Sequence, residues 1–128
     1  MKYIKKVKPF FTDERGSISK IVDDESKITS ALYLTCKKGA IRANHYHKKD
    51  THYSYLISGK MEYTFQDLKS KSAKKKSVIV NAGEVVYTPA MTMHAMKFLE
   101  DSVFIALATE HRSKKNYEND TIRVEFVK

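Results

Sequence analysis

The stretch Gly39-Ala40-Ile41-Arg42-Ala43-Asn44-His45-Tyr46-His47-Lys48-Lys49-Asp50-Thr51-His52-Tyr53-Ser54-Tyr55-Leu56-Ile57-Ser58-Gly59 decides how the rest of the chain is read. It holds one extended run, Ala40 to Tyr46, then a second, Tyr53 to Ile57, and Ser58-Gly59-Lys60 closes the second run as a tight hairpin turn. His45 and His47 stand two residues apart, so on a strand both imidazoles leave from one face. His52 follows at the entrance of the next run.

Working outward, runs of the same kind recur at close to one per ten residues. They are expected at Ser17 to Val22, Ala31 to Cys36, Met61 to Leu68, Ser77 to Val80, Val85 to Thr88, Ala95 to Leu99, Val103 to Thr109 and Ile122 to Val127. Lys69 to Lys76 reads as a solvated hairpin loop, Asn81-Ala82-Gly83 as a turn, and His111 to Asp120 as a polar loop or short helical turn. No window carries a sustained helical period. Many short, evenly spaced strands imply an all-β closed barrel or jelly roll, in a single domain spanning residues 1–128.

A barrel gives the histidines a purpose. Four of the five fall in two windows: His45, His47 and His52 in one, His94 after Pro89 in the other. Imidazole nitrogens converging from neighbouring strands hold Zn, Fe, Ni, Mn or Cu. His111, set among Arg112, Lys114 and Lys115, reads as surface. Tyr53 and Tyr55 share a strand face and read first as packing residues. Met91, Met93 and Met96 read as apolar filler around His94.

Bulk composition narrows the classes. At 128 residues and 41% hydrophobic content the chain can bury one core and is not disordered by composition. No apolar run approaches the roughly 20 residues of a spanning helix, and the lysine-rich Met1 to Phe11 lacks an apolar signal region. A cytoplasmic protein without a membrane partner is expected. Cys36 is the only cysteine, which excludes a disulfide framework and reads as a small core residue. The net charge of +9 favours anionic partners. The lysines are scattered, however, and no nucleic-acid-binding motif accompanies them, so a small anionic ligand is expected rather than nucleic acid. No P-loop and no Ser-His-Asp order is present.

Two resemblances sharpen this reading. Gly39-x5-His45-x-His47-x4-His52-x6-Gly59 resembles the first cupin motif, with His52 where that motif usually has Glu. Gly83-x5-Pro89-x4-His94 resembles the second, with Met91 in place of Gly and Phe98 in place of Asn. The resemblance implies a cupin double-stranded β-helix, or jelly-roll, barrel. By the same resemblance His45, His47, His52 and His94 would be the ligands of one divalent metal. An all-nitrogen set favours Zn, Fe or Ni over Mn or Mg.

The second resemblance is to sugar-nucleotide 3,4-ketoisomerases and 3,5-epimerases of polysaccharide biosynthesis. Asp13-Glu-Arg15-Gly16 is similar to their Asp-x-Arg-Gly segment, Arg42-Ala-Asn-His45-Tyr46 to their Arg-Gly-x-His-Tyr segment, and His47-Lys48-Lys49 to the His-x-His-Lys-Lys of the ketoisomerases. Ala106-Leu-Ala-Thr109-Glu110, then Tyr117 and Ile122-Arg123, is similar to the ketoisomerase tail. The late-strand tyrosine of the epimerases aligns with Ala106, which argues against 3,5-epimerase activity.

What this resemblance implies is acid–base work on a nucleotide-activated keto-sugar. His45 would be the base, His47, Tyr53 or Tyr55 the opposite acid, and Arg42 with Lys48 and Lys49 the diphosphate clamp. A homodimer is implied as well, with the exposed strand Tyr3 to Val7 free to add to a partner sheet. A metal-dependent enzyme of another type, such as an oxygenase, and a non-catalytic binding module are the alternatives.

Overall fold

The computed structural model describes residues 3–128. Its strands run β1 (Ile4–Lys6), β2 (Pro9–Asp13), β3 (Gly16–Ser19), β4 (Ser30–Cys36), β5 (Ile41–His47), β6 (His52–Ser58), β7 (Lys60–Asp67), β8 (Lys76–Asn81), β9 (Glu84–Thr88), β10 (Thr92–Phe98) and β11 (Ser102–Ala108). One short helix, α1 (Lys114–Asp120), then leads into β12 (Thr121–Arg123). One five-stranded sheet has the order β1-β9-β6-β11-β4, the other β12-β5-β10-β7-β8, and β2 pairs with β3 alone. All of these pairings are antiparallel.

Alternation along the strands builds the core. Leu32, Leu34 and Cys36 of β4, Leu56 of β6, Met61 and Tyr63 of β7, Met96 and Phe98 of β10, and Phe104 and Ala106 of β11 pack into one cluster. Phe98 is fully buried against Phe104 in a stacked pair. Removing a ring of this kind costs about 3–5 kcal/mol. The β6–β7 turn depends on Gly59, whose φ of +95° suits glycine and where a Cβ would lie 2.0 Å from the Ser102 hydroxyl.

Most of the expected strands form, with shifts of one to three residues at their ends. Three differences have local causes. β2, which the sequence did not signal, pairs with β3, and the run expected to reach Val22 stops at Ser19. The last strand ends at Arg123 instead of Val127, because the amides of Val124 and Val127 bond to the carbonyl and side-chain oxygens of Asn44 instead of a ladder. The segment Tyr3 to Val7 is not wholly free for a partner, since Ile4–Lys6 pairs with β9 of its own chain.

β5 contains the irregularity that shapes the site. Ala43 and Asn44 take left-handed backbone, with φ of 71° and 56°. The β5–β10 register slips there, with His94 opposite His45 but Ala95 opposite Ala43. Asn44 is therefore the extra residue of a bulge. Its amide nitrogen donates to the Val127 carbonyl at 2.8 Å and its oxygen accepts from the Val127 amide at 2.9 Å, so the tail braces the bulge.

Candidate functional site

The two sheets bring four imidazoles together. β5 supplies His45 and His47, β10 supplies His94 directly across the ladder from His45, and β6 in the opposite sheet supplies His52. All four are buried. Ring centroids lie 4.5 Å apart for His45–His47, 4.8 Å for His45–His94, 5.2 Å for His52–His94 and 5.7 Å for His47–His52. One ring nitrogen from each of His45, His47 and His94 falls within 4.8 Å of the others.

Hydrogen bonds fix which way three of the rings present their lone pairs. His94 Nδ1 donates to the Thr92 carbonyl at 2.9 Å. His52 Nδ1 donates to Asp50 Oδ2 at 3.0 Å. The Thr121 hydroxyl donates to the Tyr117 carbonyl at 2.5 Å, so its oxygen is left to accept from His47 Nδ1 at 3.2 Å. A neutral imidazole that donates from one nitrogen accepts at the other. The Nε2 atoms of His47, His52 and His94 are thus acceptors, and that of His47 is buried without a partner.

Burial also disfavours the charged forms of His45, His47 and His94. It pushes His45 down to about 3, helped by the neighbouring His47 and His52. It pushes His47 down to about 4, with His52 adding to the effect and Asp50 opposing it. His94 lies well below the ordinary histidine value, first from burial and then from His52 and His45. A buried imidazolium loses hydration that the cavity does not replace.

Two buried carboxylates support the rings from behind. Asp50 accepts from His52 and, at 2.8 Å, from Arg112 Nη2. Burial alone would raise its carboxyl, but the hydrogen bond from His52 and the neighbouring His52, Arg112 and His47 prevail and hold it below the usual value. Asp120, at the end of α1, accepts the amides of Lys49 at 2.7 Å and Asp50 at 3.0 Å. It thereby pins the connector that carries the chain from β5 in one sheet to β6 in the other.

The rings face a cavity of about 260 Å³. Leu32, Leu34, Met96, Phe104 and Ala106 form its apolar wall, and Arg42, Ser54, Arg112 and Tyr117 add polar groups to the histidines. The Asn44 bulge explains Arg42. Residues three apart on a regular strand face opposite sides, and the extra residue lets Arg42 and His45 both line the cavity.

Other expected site residues lie elsewhere. Tyr53 and Tyr55 are not in the cavity wall, because His52, Ser54 and Leu56 take the inward positions of β6. The Tyr53 hydroxyl bonds to Asp24 and Ser26 on the outer face, and its ring packs on Tyr87 at 5.0 Å. Tyr55 shares that outer face, in register with Val85 and Ile105. Lys48 and Lys49 are exposed in the connector and do not line the cavity. As for His47, its N–H points at Thr121, so the ring accepts rather than donates toward the cavity.

The sequence reading did not assign Asp50, Arg112 or Tyr117 to the site. Asp50 had one usable signal, an acidic residue two before a histidine. Arg112 and Tyr117 sit in a polar stretch with no strand or helix period, and the pairing of β12 with β5, just after α1, brings them in.

Comparison with known proteins places this arrangement. A family profile described as the polysaccharide biosynthesis C-terminal domain matches residues 11–122. No curated protein matches the sequence. Among solved structures, a 3,4-ketoisomerase from Helicobacter canadensis superposes with a TM-score of 0.75 at 21% identity, over 94% of this chain and 88% of its own. A sugar 3,4-ketoisomerase from Thermoanaerobacterium thermosaccharolyticum, in complex with TDP, gives 0.74 at 22% identity, over 95% and 87%. A dTDP-6-deoxy-D-glucose 3,5-epimerase from Legionella pneumophila Philadelphia 1, in complex with dTDP-4-keto-L-rhamnose, gives 0.77 at 16% identity, over 97% and 72%. These likenesses bear out the cupin jelly-roll expectation for the fold. With its profile match running from the first hairpin into the last strand, the chain belongs to the polysaccharide biosynthesis C-terminal domain family.

Proposed function

We propose that the protein is an isomerase or epimerase of nucleotide-activated keto-sugars used in surface polysaccharide synthesis. One observation carries the reading: imidazoles that commit Nδ1–H behind the ring present lone pairs to a cavity that Arg42 also lines. A neutral imidazole is the form that removes a proton from the carbon beside a ketone. His45 is the base, and Arg42 holds the anionic diphosphate. Arg42 suits that role because it is exposed as well as cavity-lining, with Nε on Cys36 Sγ at 3.2 Å and Nη2 on the Thr35 carbonyl at 2.9 Å. The TDP and keto-sugar complexes of the structural neighbours support this ligand class.

The test is exchange. Incubated with TDP-4-keto-6-deoxyglucose in D2O, the protein is expected to place deuterium beside the ketone and to form an isomerised sugar, both read by NMR. His45→Asn should lower both rates by about a hundredfold or more. Absence of exchange and of product with the wild-type protein would overturn the reading, and tight binding without turnover would point to a binding module.

A second reading has its own observation. His47 Nε2 is buried without a partner amid other ring acceptors, and such a nitrogen fits a divalent cation. His45, His47, His52 and His94 would hold Zn, Fe or Ni, with the Asp50, Thr121 and Thr92 contacts orienting three of the rings. When bound, the ion would polarise a ketone or enolate oxygen. Elemental analysis of protein purified without a metal-affinity tag separates the readings: about one ion per chain, lost in His94→Ala, supports the second.

The working form is proposed to be a homodimer. Phe10, Phe11 and Ile18 are exposed on the isolated β2–β3 hairpin, and a two-stranded hairpin is marginal in water without a covering surface. Light scattering should give twice the 14.8 kDa chain mass.

A further inference from the structure

Three of the four imidazoles face the cavity with acceptors. His47, His52 and His94 each commit Nδ1–H to a group behind the ring, so each offers the cavity a lone pair. Such a set can take a proton from carbon, but it has no N–H of its own to return one from another direction. Among the lining residues Tyr117 is the only phenol.

Its placement is firm. Ser113 caps α1 by accepting from the Asn116 amide, and the Tyr117 amide donates to the Ser113 carbonyl at 2.9 Å. Thr121, the residue that orients His47, bonds to the Tyr117 carbonyl. The ring lies 5.6 Å from that of His47 and 6.1 Å from that of His45. These ring-to-ring spacings put the phenol beside the imidazoles in the wall of the same cavity. Two cations attend the ring, with the guanidinium carbons of Arg112 at 5.0 Å and Arg123 at 5.9 Å from its centroid. Each guanidinium also pairs with a carboxylate, Arg112 with Asp50 and Arg123 with Glu118, which holds both in place against the ring.

We propose that the Tyr117 hydroxyl is the catalytic acid that returns a proton to carbon, supplied by α1 instead of a barrel strand; this rests on the isomerase reading. The imidazole base takes the proton beside the ketone. The C–H bond breaks, its pair becomes the enolate double bond, and the former carbonyl oxygen takes the charge. Where the carbonyl migrates, the proton of the neighbouring hydroxyl crosses to that oxygen. Tyr117 O–H then breaks, a new C–H bond forms with the enolate pair, and phenolate remains. The proton on imidazole returns to the phenolate through solvent, which restores the protein.

The assay is the same D2O incubation with TDP-4-keto-6-deoxyglucose, run on Tyr117→Phe. The ring stays in place, so proton removal and same-face return by the base should continue. Deuterium should enter recovered substrate at within about threefold of the wild-type rate, while isomerised product falls by about a hundredfold. Retained exchange also certifies that the variant is folded. Product formation at near wild-type rate overturns the assignment. So does loss of both exchange and product in a variant with unchanged circular dichroism, since Tyr117 would then act in proton removal. A wild-type protein that neither exchanges nor isomerises removes the isomerase reading and this inference together.

Discussion

His52 Nδ1 donates to Asp50 Oδ2 across 3.0 Å, and the same carboxylate oxygen accepts from Arg112 Nη2 at 2.8 Å. Asp50 therefore orients one cavity imidazole and neutralises one cavity guanidinium at once. Asp50→Asn should destabilise the fold by about 3 kcal/mol, because it leaves a largely buried cation without its charge partner. It should also weaken turnover or ion binding by about ten- to a hundredfold through the misoriented His52. Thermal unfolding and the exchange assay check the two effects separately.

Acid should unfold the protein through the histidines. His45, at about 3, and His47, at about 4, sit below the ordinary value of an unfolded chain, as does His94. Above about pH 6.5 both the folded and the unfolded forms of these groups are neutral, and they add no pH dependence. Below it the unfolded chain takes up protons that the folded protein refuses, so stability falls with pH. Each group contributes up to about 1.4 kcal/mol per pH unit. The window runs from about pH 6.5 toward the folded values. Denaturant melts at several pH values should show the loss, and His47→Asn should flatten it.

The outer-face tyrosines give a control. Tyr53→Phe loses the bonds to Asp24 and Ser26 and should cost about 1 kcal/mol of stability. Neither Tyr53→Phe nor Tyr55→Phe should change turnover by more than about twofold. A large kinetic loss in either would show that the β6 face assignment is wrong.

Arg42 and the connector lysines should behave differently toward an anionic substrate. Removing a charge-assisted phosphate contact costs about 1.5–3 kcal/mol, so Arg42→Ala should raise KM by about ten- to a hundredfold. Lys48→Ala and Lys49→Ala should change KM by about twofold or less and only at low salt, because exposed charges act through screened fields. Steady-state kinetics at two ionic strengths separates these cases.

The bulge should depend on its brace. Asn44 tolerates left-handed backbone better than most residues and holds the tail by two bonds to Val127. Asn44→Ala forfeits both and should lower stability by about 1–3 kcal/mol. If the bulge relaxes, Arg42 turns from the cavity, and KM should rise with kcat less affected.

The spacing of His45, His47, His52 and His94 together with the strand rhythm was enough to indicate a jelly roll with clustered imidazoles. Both signals are local, since a period of two assigns faces and turn residues mark strand ends. The family resemblance, for its part, allowed Tyr53 and Tyr55 as acids, although the regular alternation of β6 gives its inward face to His52, Ser54 and Leu56. Local periodicity also misled where the fold broke it. It could not reveal that a bulge at Asn44 turns Arg42 inward beside His45. Nor could it place Asp50, Arg112 and Tyr117, because α1 reaches the barrel mouth only through contacts some sixty to seventy residues apart in sequence, such as Asp50 with Arg112 and Lys49 with Asp120. The sequence by itself determined which residues share a face along each regular run. The tertiary structure decided which faces meet, because long-range pairing and buried hydrogen bonds, not residue spacing, select among them.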